Sequence, residues 1–242
     1  MDRRCLVAIC HNLPVVYRKT TESLMELGWG DRVDKAREAH GFTEVSFAWF
    51  YRSPRVDALR DMVGVAALKE GFTHILYLDA DMIWPTDTLK RMLAHHDKGI
   101  VSGLYVQKWP PYYPIALRGP VTESEGVNIY THDKDWPRGE TALRPQEVVG
   151  MGCTLVDVDI FRQIGERPWF HYENNAEGWP MVSEDVPFCR KAKEAGFGVW
   201  LDPAVKCGHA MVDVIDEKHF RRWMDSEKHT QRSPVRTKGS AA

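Results

Sequence analysis

The sequence contains no long hydrophobic run. No apolar stretch in its 242 residues approaches the ~18 residues of a transmembrane helix. The amino-terminal stretch from Cys5 to Cys10 is too short for the apolar core of a signal peptide, and no cleavage site follows it. We therefore expect a cytoplasmic protein without a membrane span.

Cysteine is sparse, and its distribution lacks a recognisable pattern. The five cysteines are odd in number and scattered, and no Cys-x-x-Cys pair occurs. This distribution argues against a disulfide framework and against a zinc site, and it favours buried thiols in a reducing compartment. The cysteines are Cys5, Cys10, Cys153, Cys189 and Cys207.

The sequence also lacks a large excess of charge of either sign. A formal net charge of -2 gives no general attraction to nucleic acid or to an anionic membrane. The hydrophobic content of 43% and the aromatic content of 11% are sufficient for a large core. Because no linker-like change in composition and no repeat is visible, we expect a single α/β domain over residues 1–227. Residues 228–242 have no apolar pattern, and we expect them to form a disordered tail.

The most informative stretch of the chain is an apolar run that ends in two carboxylates. Residues 75–78, Ile-Leu-Tyr-Leu, have the composition of a strand buried on both faces. Asp79 and Asp81 follow directly, and Pro85 ends the stretch. Ligands of open α/β sheets bind at the carboxyl ends of strands, and closely spaced carboxylates suit a hard divalent cation. The alternative is a surface turn without a metal, since Asp-x-Asp is common by chance.

Strand-like and helix-like segments alternate along most of the chain, which favours a mostly parallel sheet flanked by helices. The predicted strands are 6–9, 44–51, 75–78, 99–106, 148–156 and 198–203. The predicted helices are one that ends at Gly28 and Gly30, then 55–70, one beginning at Pro85, 157–164, one capped by Ser183, and 216–227. Residues 107–147 are rich in turn formers and aromatics, and we interpret them as hairpins and loops covering one side of the site.

Several further polar residues are candidates for the same site. His11 lies in the loop after the first predicted strand, Arg60 lies on a predicted helix, and His209 follows the last predicted strand. Glu184 and Asp185 begin a helix, where acids also serve simply to complement the helix dipole. Neither Arg60 nor His209 requires a functional role: Arg60 could be a solvated residue on the helix surface, and His209 could be an ordinary loop histidine.

The order and spacing of these motifs resemble those of a GT-A glycosyltransferase of the family 2 type, especially the small versions found in phages and bacteria. The resemblance covers roughly residues 4–212. Arg60-Asp61 stands where that family has Arg-Asn about 19 residues before its Asp-x-Asp. The other matching segments are Asp79-Ala80-Asp81-Met82, Ser102-Gly103-Leu104-Tyr105, Gly150-Met151-Gly152-Cys153-Thr154-Leu155, Ser183-Glu184-Asp185-Val186-Pro187-Phe188-Cys189 and Cys207-Gly208-His209.

The resemblance implies a Rossmann-like GT-A fold with a mixed, mostly parallel central sheet. A nucleotide-sugar half would span about 1–106, and an acceptor half about 107–227. It also implies a metal-dependent, inverting transfer of a sugar from a nucleoside-diphosphate sugar, such as a UDP-sugar, to an acceptor hydroxyl. The implied nucleotide-binding residues are His11, Arg60, Asp79, Gly103 and Gly152.

The resemblance further implies a role for each acidic residue. Asp81 and His209 would bind Mn²⁺ (or Mg²⁺) directly, and Asp79 would reach the ribose, or the metal through water. Mn²⁺ suits a mixed carboxylate and imidazole site better than Mg²⁺ does. Asp185 would be the catalytic base, and Glu184 would hold acceptor or donor hydroxyls.

Two other functions are compatible with such a layout. A nucleotidyltransferase shares the metal carboxylates but usually carries a glycine-rich, basic loop after the first strand, and residues 11–14, His-Asn-Leu-Pro, are not such a loop. A non-catalytic sugar-nucleotide-binding module would not require the Glu184-Asp185 pair.

The acceptor stays open between a cell-surface or lipid-linked glycan, a protein side chain and a hydroxymethylated base of phage DNA, although the balanced charge disfavours extended DNA contact. The sequence does not indicate an oligomeric state.

Overall fold

A computed structural model of the chain describes residues 2–12, 16–28, 31–51, 53–124, 127–134 and 139–211. The strands are β1 (Arg3–Cys10), β2 (Phe42–Phe50), β3 (His74–Asp79), β4 (Met82–Ile83), β5 (Ile100–Leu104), β6 (Ala116–Ser124), β7 (Val127–His132), β8 (Arg144–Pro145), β9 (Val148–Val149), β10 (Cys153–Asp157), β11 (Glu173–Asn174), β12 (Pro180–Val182), β13 (Val199–Lys206) and β14 (Gly208–His209). The helices are α1 (Arg18–Gly28), α2 (Arg32–Ala39), α3 (Val56–Glu70), α4 (Thr88–Leu93), α5 (Asp159–Gln163) and α6 (Asp185–Glu194).

The main sheet has seven strands in the order β2-β1-β3-β10-β5-β13-β8. Strands β2, β1, β3, β5 and β13 run in one direction, while β10 and β8 run in the opposite direction. The predicted mixed, mostly parallel sheet is therefore confirmed. Because the five parallel strands point the same way, their carboxyl ends form one edge of the sheet, and the amino end of β10 lies at that edge between β3 and β5.

Strand β3 is buried on both faces, as its composition predicts. Ile75 and Tyr77 face one hydrophobic cluster, whereas Leu76 and Leu78 face the other. The first cluster contains residues of α3, α5 and α6, and the second contains residues of α1, α2 and α4. Helices therefore cover both faces of the sheet, so that the carboxyl edge of β3 is the place where a polar site can open to solvent.

Helix α3 agrees closely with its predicted bounds. It ends at Gly71, which has the left-handed conformation (φ 73) that the predicted glycine stop requires. Helix α2 was not predicted. The reason is its composition, since Ala36 is its one buried residue and the remainder of its sequence is mostly charged. A single buried apolar residue gives almost no helical periodicity in the sequence.

The prediction of one continuous strand over residues 148–156 is wrong. The chain forms β9 and β10, separated by Gly150, Met151 and Gly152. Tyr105 packs against this break, since a Cβ atom on Gly150 would clash with the Tyr105 hydroxyl and one on Gly152 would lie 3.1 Å from its ring. The two glycines leave room for this ring beside the sheet edge.

Residues 107–147 contain the hairpin that their composition predicts. Strands β6 and β7 pair with each other, and β9 pairs with β6, which forms a separate three-stranded sheet. Of the helices that the structure describes, none has the length and apolar character needed to cross a membrane. The predicted helix 216–227, the predicted tail 228–242, Leu13, Pro14 and Gly30 lie outside the described residues.

Asp61 has a structural role in the wall beside the site. Its Oδ1 accepts hydrogen bonds from the backbone N–H groups of Trp169 and Phe170, each at 3.1 Å, and its Oδ2 accepts one from Arg167 Nε at 3.2 Å. Asp61 is buried and joins α3 to the segment after α5. The aspartate therefore ties residues 167–170 to the turn of α3 that also carries Arg60.

We expect Asp61→Ala to lower the free energy of unfolding by about 2–5 kcal/mol, because two buried N–H groups lose their acceptor. Asp61→Asn retains an acceptor oxygen and should lower the free energy of unfolding by clearly less. Urea unfolding of both variants, with the exposed Asp159→Ala as the control, measures the difference. A loss below about 1 kcal/mol for Asp61→Ala would show that these hydrogen bonds are replaced by others.

Candidate functional site

The site lies at the carboxyl edge of the main sheet, around the end of β3. Cys10 of β1 is the register partner of Asp79. The chain then turns, with Ala80 N–H donating to the Cys10 carbonyl at 3.0 Å. Asp79 N–H donates to the Gly152 carbonyl at 3.1 Å. Backbone bonds to both neighbouring chain segments thus fix the position of Asp79.

Arg60 joins two of the predicted site residues directly. Its Nη2 donates to both carboxylate oxygens of Asp79, at 3.2 and 3.1 Å, and its Nη1 donates to Glu184 Oε1. The Arg60 carbonyl accepts a hydrogen bond from the Tyr77 hydroxyl at 3.0 Å, which anchors the helix turn that carries the guanidinium. Arg60 and Glu184 are only 4% and 5% exposed, so this is a buried, charge-assisted contact.

Glu184 and Asp185 lie at the start of α6. The prediction that Ser183 caps this helix is wrong, because the capping position is Glu184 and the Ser183 hydroxyl instead donates to Asp185 Oδ1. The Tyr172 hydroxyl is hydrogen-bonded to Glu184. Glu184 is therefore held from two sides, by Arg60 and Tyr172, while Asp185 is half-buried and held by Ser183.

Burial is the main influence on the acidic groups of the site. It raises the pKa of Asp79, of Glu184 and of Asp185, and the Arg60 guanidinium opposes the rise in all three. The negative charge of Asp81 raises the pKa of Asp79 further, that of Asp185 raises the pKa of Glu184, and that of Asp79 raises the pKa of Asp185. The pattern indicates that one guanidinium does not balance the carboxylates around it.

Asp81 has a different cationic partner, Lys108. The Lys108 ammonium donates to Asp81 Oδ2, and the Asp81 carbonyl accepts a hydrogen bond from Ala210 N–H at 2.7 Å. That backbone bond continues the pairing of β4 with β14, in which His209 is the register partner of Met82. The backbone of His209 thus lies beside the strand that follows the Asp79-x-Asp81 turn.

The orientation of the His209 ring is set by its surroundings. Nδ1 lies 2.6 Å from the Val106 carbonyl oxygen, and the ring makes an edge contact with Tyr105 at 5.5 Å between centroids. Since a carbonyl oxygen can only accept, Nδ1 carries a proton, and Nε2 is the ring nitrogen whose lone pair, in the neutral ring, could bind a metal. However, within the part of the chain that the structure describes, no three His, Cys, Asp or Glu side chains are gathered around one point.

The remaining predicted nucleotide-binding residues differ in what surrounds them. His11 Nε2 is buried and has no hydrogen-bond partner among the described residues, and the ring makes an edge contact with Trp49 at 5.9 Å. Gly152 N–H donates to the Tyr105 hydroxyl at 3.0 Å. The close approach at Gly103 is made by Val205, whose Cγ1 would lie 2.9 Å from an added Cβ. Packing between β5 and β13 is therefore a sufficient reason for glycine at 103.

A cavity of about 400 Å³ opens beside the start of α6. Asp185 and Ser183 lie at one side of it, and strands β6, β7, β9 and β12 supply the other walls. Seven of its twelve lining residues are aliphatic or methionine, and Gln107, Tyr130 and His132 add polar groups. The volume is in the range of small-molecule sites, which are usually apolar with a few polar groups.

Three residues at the site were missed by the sequence analysis. Lys108, which contacts Asp81, lies in the region 107–147, for which the sequence predicts only hairpins and loops. Tyr172 and Tyr105, which contact Glu184 and Gly152, were not singled out either. No motif marks Lys108 or Tyr172, and the segment that ends in Tyr105 gives that residue no role of its own. Each of the three reaches the site from a segment distant in sequence, so its role depends on how those segments pack.

Comparison with known proteins supports the fold assignment. No protein-family profile matches the sequence, and no curated protein matches it. Among solved structures, the chain is similar to A197 from STIV, with a TM-score of 0.57, 17% identity and coverage of 87% of this chain and 86% of that one. It is also similar to GalNAc-T7 in complex with UDP, GalNAc and Mn²⁺, with a TM-score of 0.54, 12% identity and coverage of 87% of this chain but 44% of that one. The chain has a GT-A-like fold.

We expect Arg60→Met to destabilise the protein by about 3–5 kcal/mol at pH 8, because it leaves Asp79 and Glu184 buried without their cation. Burial raises the pKa of both groups above 3.8 and 4.5, their ordinary values, and Arg60 opposes this. In the variant both carboxyl groups therefore stay protonated to higher pH, and the folded state binds more protons than the unfolded state. The free energy of unfolding should accordingly fall as the pH rises from these ordinary values.

Urea unfolding at pH 5 and pH 8 measures this effect. The loss caused by Arg60→Met should be clearly larger at pH 8. Arg190→Met is the matched control, since its ion pair with Glu173 is partly exposed and should contribute only about 1 kcal/mol or less. An equal loss for Arg60→Met at both pH values would contradict the assigned role of Arg60.

Proposed function

We propose that the protein is a glycosyltransferase that moves a sugar from a nucleoside-diphosphate sugar to an acceptor hydroxyl, with inversion at the anomeric carbon. The observation that carries the proposal is the Arg60 bridge between Asp79 and Glu184. It draws the Asp-x-Asp turn of β3 and the acidic start of α6 together at the ligand-binding edge of a GT-A-like fold.

The charges of the site fit a divalent cation. Its acidic side chains are Asp79, Asp81, Glu184 and Asp185, and Arg60 and Lys108 are the described cations in direct contact with them. When all four acids are ionised, two negative charges remain unbalanced. Oxygen and imidazole donors suit Mn²⁺. Asp81 and His209 would hold the cation, although no three donors are preassembled within the described residues.

The cation would act as a Lewis acid that neutralises the charge of the departing diphosphate. Asp79, held at the edge by its backbone bonds, would reach the ribose or a metal-bound water. His11 offers a buried, unpartnered Nε2 at the same edge, as judged over the described residues. Gly152 and Arg60 would complete the nucleotide side. UDP is the donor nucleotide that we propose, and GalNAc-T7, a protein of similar fold, is seen with UDP and Mn²⁺.

The acceptor would enter the cavity beside α6, with its hydroxyl directed toward Asp185. As the hydroxyl attacks the anomeric carbon it loses a proton, and a carboxylate within hydrogen-bonding reach can accept it. Burial raises the pKa of Asp185, which makes its carboxylate a stronger base. Glu184 is tied to Arg60 and Tyr172, so it is better placed to orient hydroxyl groups than to accept the proton.

We expect Asp185→Asn to reduce sugar transfer at least about 100-fold without loss of folding, because the amide cannot accept the proton. In the unaltered protein, transfer should rise with pH through a pKa above 3.8, since the carboxylate is the active form. A screen of nucleotide sugars with Mn²⁺, read by nucleotide release, provides the assay.

Asp157→Asn is the matched control for this substitution. Burial also raises the pKa of Asp157, but this residue pairs with His74 at the opposite edge of the sheet. Its replacement should leave transfer within about twofold of the unaltered protein. Near-normal transfer by a folded Asp185→Asn variant would remove Asp185 from the role of base.

Asp81→Ala should abolish Mn²⁺-dependent binding of UDP, because it removes a direct ligand of the cation. Isothermal titration calorimetry with UDP, with and without Mn²⁺, measures the effect. Asp97→Ala, at an exposed ion pair with Lys98, is the control and should leave binding intact. If Asp81→Ala bound UDP and Mn²⁺ normally, the assignment of Asp81 as a ligand would be wrong.

A further inference from the structure

The contact between Lys108 and Asp81 places a protein cation on the carboxylate that is proposed to bind the metal. The side chains are 24% and 15% exposed, so the pair is shielded from solvent more than an ordinary surface pair. Lys108 follows β5 and approaches the turn after β3 from a segment 27 positions away in sequence. The contact is tertiary and is not imposed by local chain geometry.

The segment that carries Lys108 is held at its base. Val106 pairs with Pro114, Gln107 N–H donates to the Tyr113 carbonyl at 2.9 Å, and Ile115 N–H donates to the Tyr105 carbonyl at 3.0 Å. Val106 is also the residue whose carbonyl binds His209. The backbone next to Lys108 is thus tied to the other proposed ligand, whereas the four-carbon stem of the lysine can move its ammonium by rotation.

An ammonium and a divalent cation compete for the same carboxylate. Like charges at contact distance repel each other strongly, above all where solvent is partly excluded. For Asp81 to bind a metal through Oδ2, the Lys108 ammonium has to move away. The ammonium then needs another anion, and a diphosphate bound at the metal would supply one within reach of the same turn.

We propose that Lys108 is a competing counter-ion of Asp81, which keeps the metal site closed to a free cation and opens it to a cation that arrives with a nucleoside diphosphate. The inference rests on the proposed function. Without the nucleotide, metal binding has to break the Lys108–Asp81 pair. With the nucleotide, Lys108 exchanges the carboxylate for the diphosphate. The two ligands therefore bind cooperatively, and the cooperativity is reciprocal.

The partial burial of the Lys108–Asp81 pair determines how strongly Lys108 weakens metal binding. Exposed ion pairs contribute little, and a half-buried pair contributes somewhat more. Removal of the competing charge should therefore tighten the binding of free Mn²⁺ by about three- to tenfold. With UDP present, this gain should disappear or reverse, because the variant also lacks the new contact with the diphosphate.

The test measures Mn²⁺ binding by the loss of the free-ion electron paramagnetic resonance signal, with and without UDP. The proteins are the unaltered chain, Lys108→Met, Lys108→Gln and Lys193→Met. Lys193 of α6 forms an ion pair, at 2.5 Å, with Glu147 in the segment before β9, and it therefore serves as the matched control. Both Lys108 variants should bind free Mn²⁺ about three- to tenfold more tightly, and Lys193→Met should behave as the unaltered chain.

The outcomes separate this inference from the proposed function. Equal or weaker binding of free Mn²⁺ by both folded Lys108 variants, together with Mn²⁺ binding in the presence of UDP, would overturn the competition and leave the proposed function standing. The absence of Mn²⁺ binding by every protein, with and without UDP, would overturn the metal site and the competition together. Two variants are used so that poor folding of one does not decide the result.

Discussion

The buried guanidinium of Arg60 is the contact on which the site depends. It bonds to Asp79 and to Glu184, a residue 124 positions away, and it thereby ties the end of β3 to the start of α6. Such a group is costly to bury unless each charge has a partner and good hydrogen-bond geometry. Asp79 and Glu184 are the charged partners, and Tyr77 holds the helix turn of Arg60 through the Arg60 carbonyl.

The backbone provides the rest of the site geometry. Five parallel strands end at one edge, and β10 begins there, so the Asp79 turn lies between Cys10 on one side and Gly152 on the other. The ring of Tyr105 fills the space left by Gly150 and Gly152 and also contacts His209. The side chain of Tyr105 therefore packs against both the break between β9 and β10 and strand β14, which lies beside the Asp81 turn.

Charge links this geometry to the proposed chemistry. The acidic groups outnumber the cations in contact with them among the described residues, and burial raises the pKa values of Asp79, Glu184 and Asp185. In the proposed function, a divalent cation would offset this excess of negative charge, and the cation and Lys108 would both attract the diphosphate. This imbalance of charge is the physical basis of the proposed roles of Asp185, Asp81 and Lys108.

The sequence by itself determined the local features: the buried strand with its terminal aspartates, helix α3 with its glycine stop, and the hairpin region. Each is encoded by a periodicity or a turn residue within about fifteen positions. The spacing of the motifs also indicated that Asp79, Glu184 and His209 belong to one edge. Only the tertiary structure decided that Arg60 bridges two acids, that Lys108 occupies Asp81 and that the strand before β10 breaks around Tyr105. These contacts join distant segments, and their geometry depends on packing that no local pattern records.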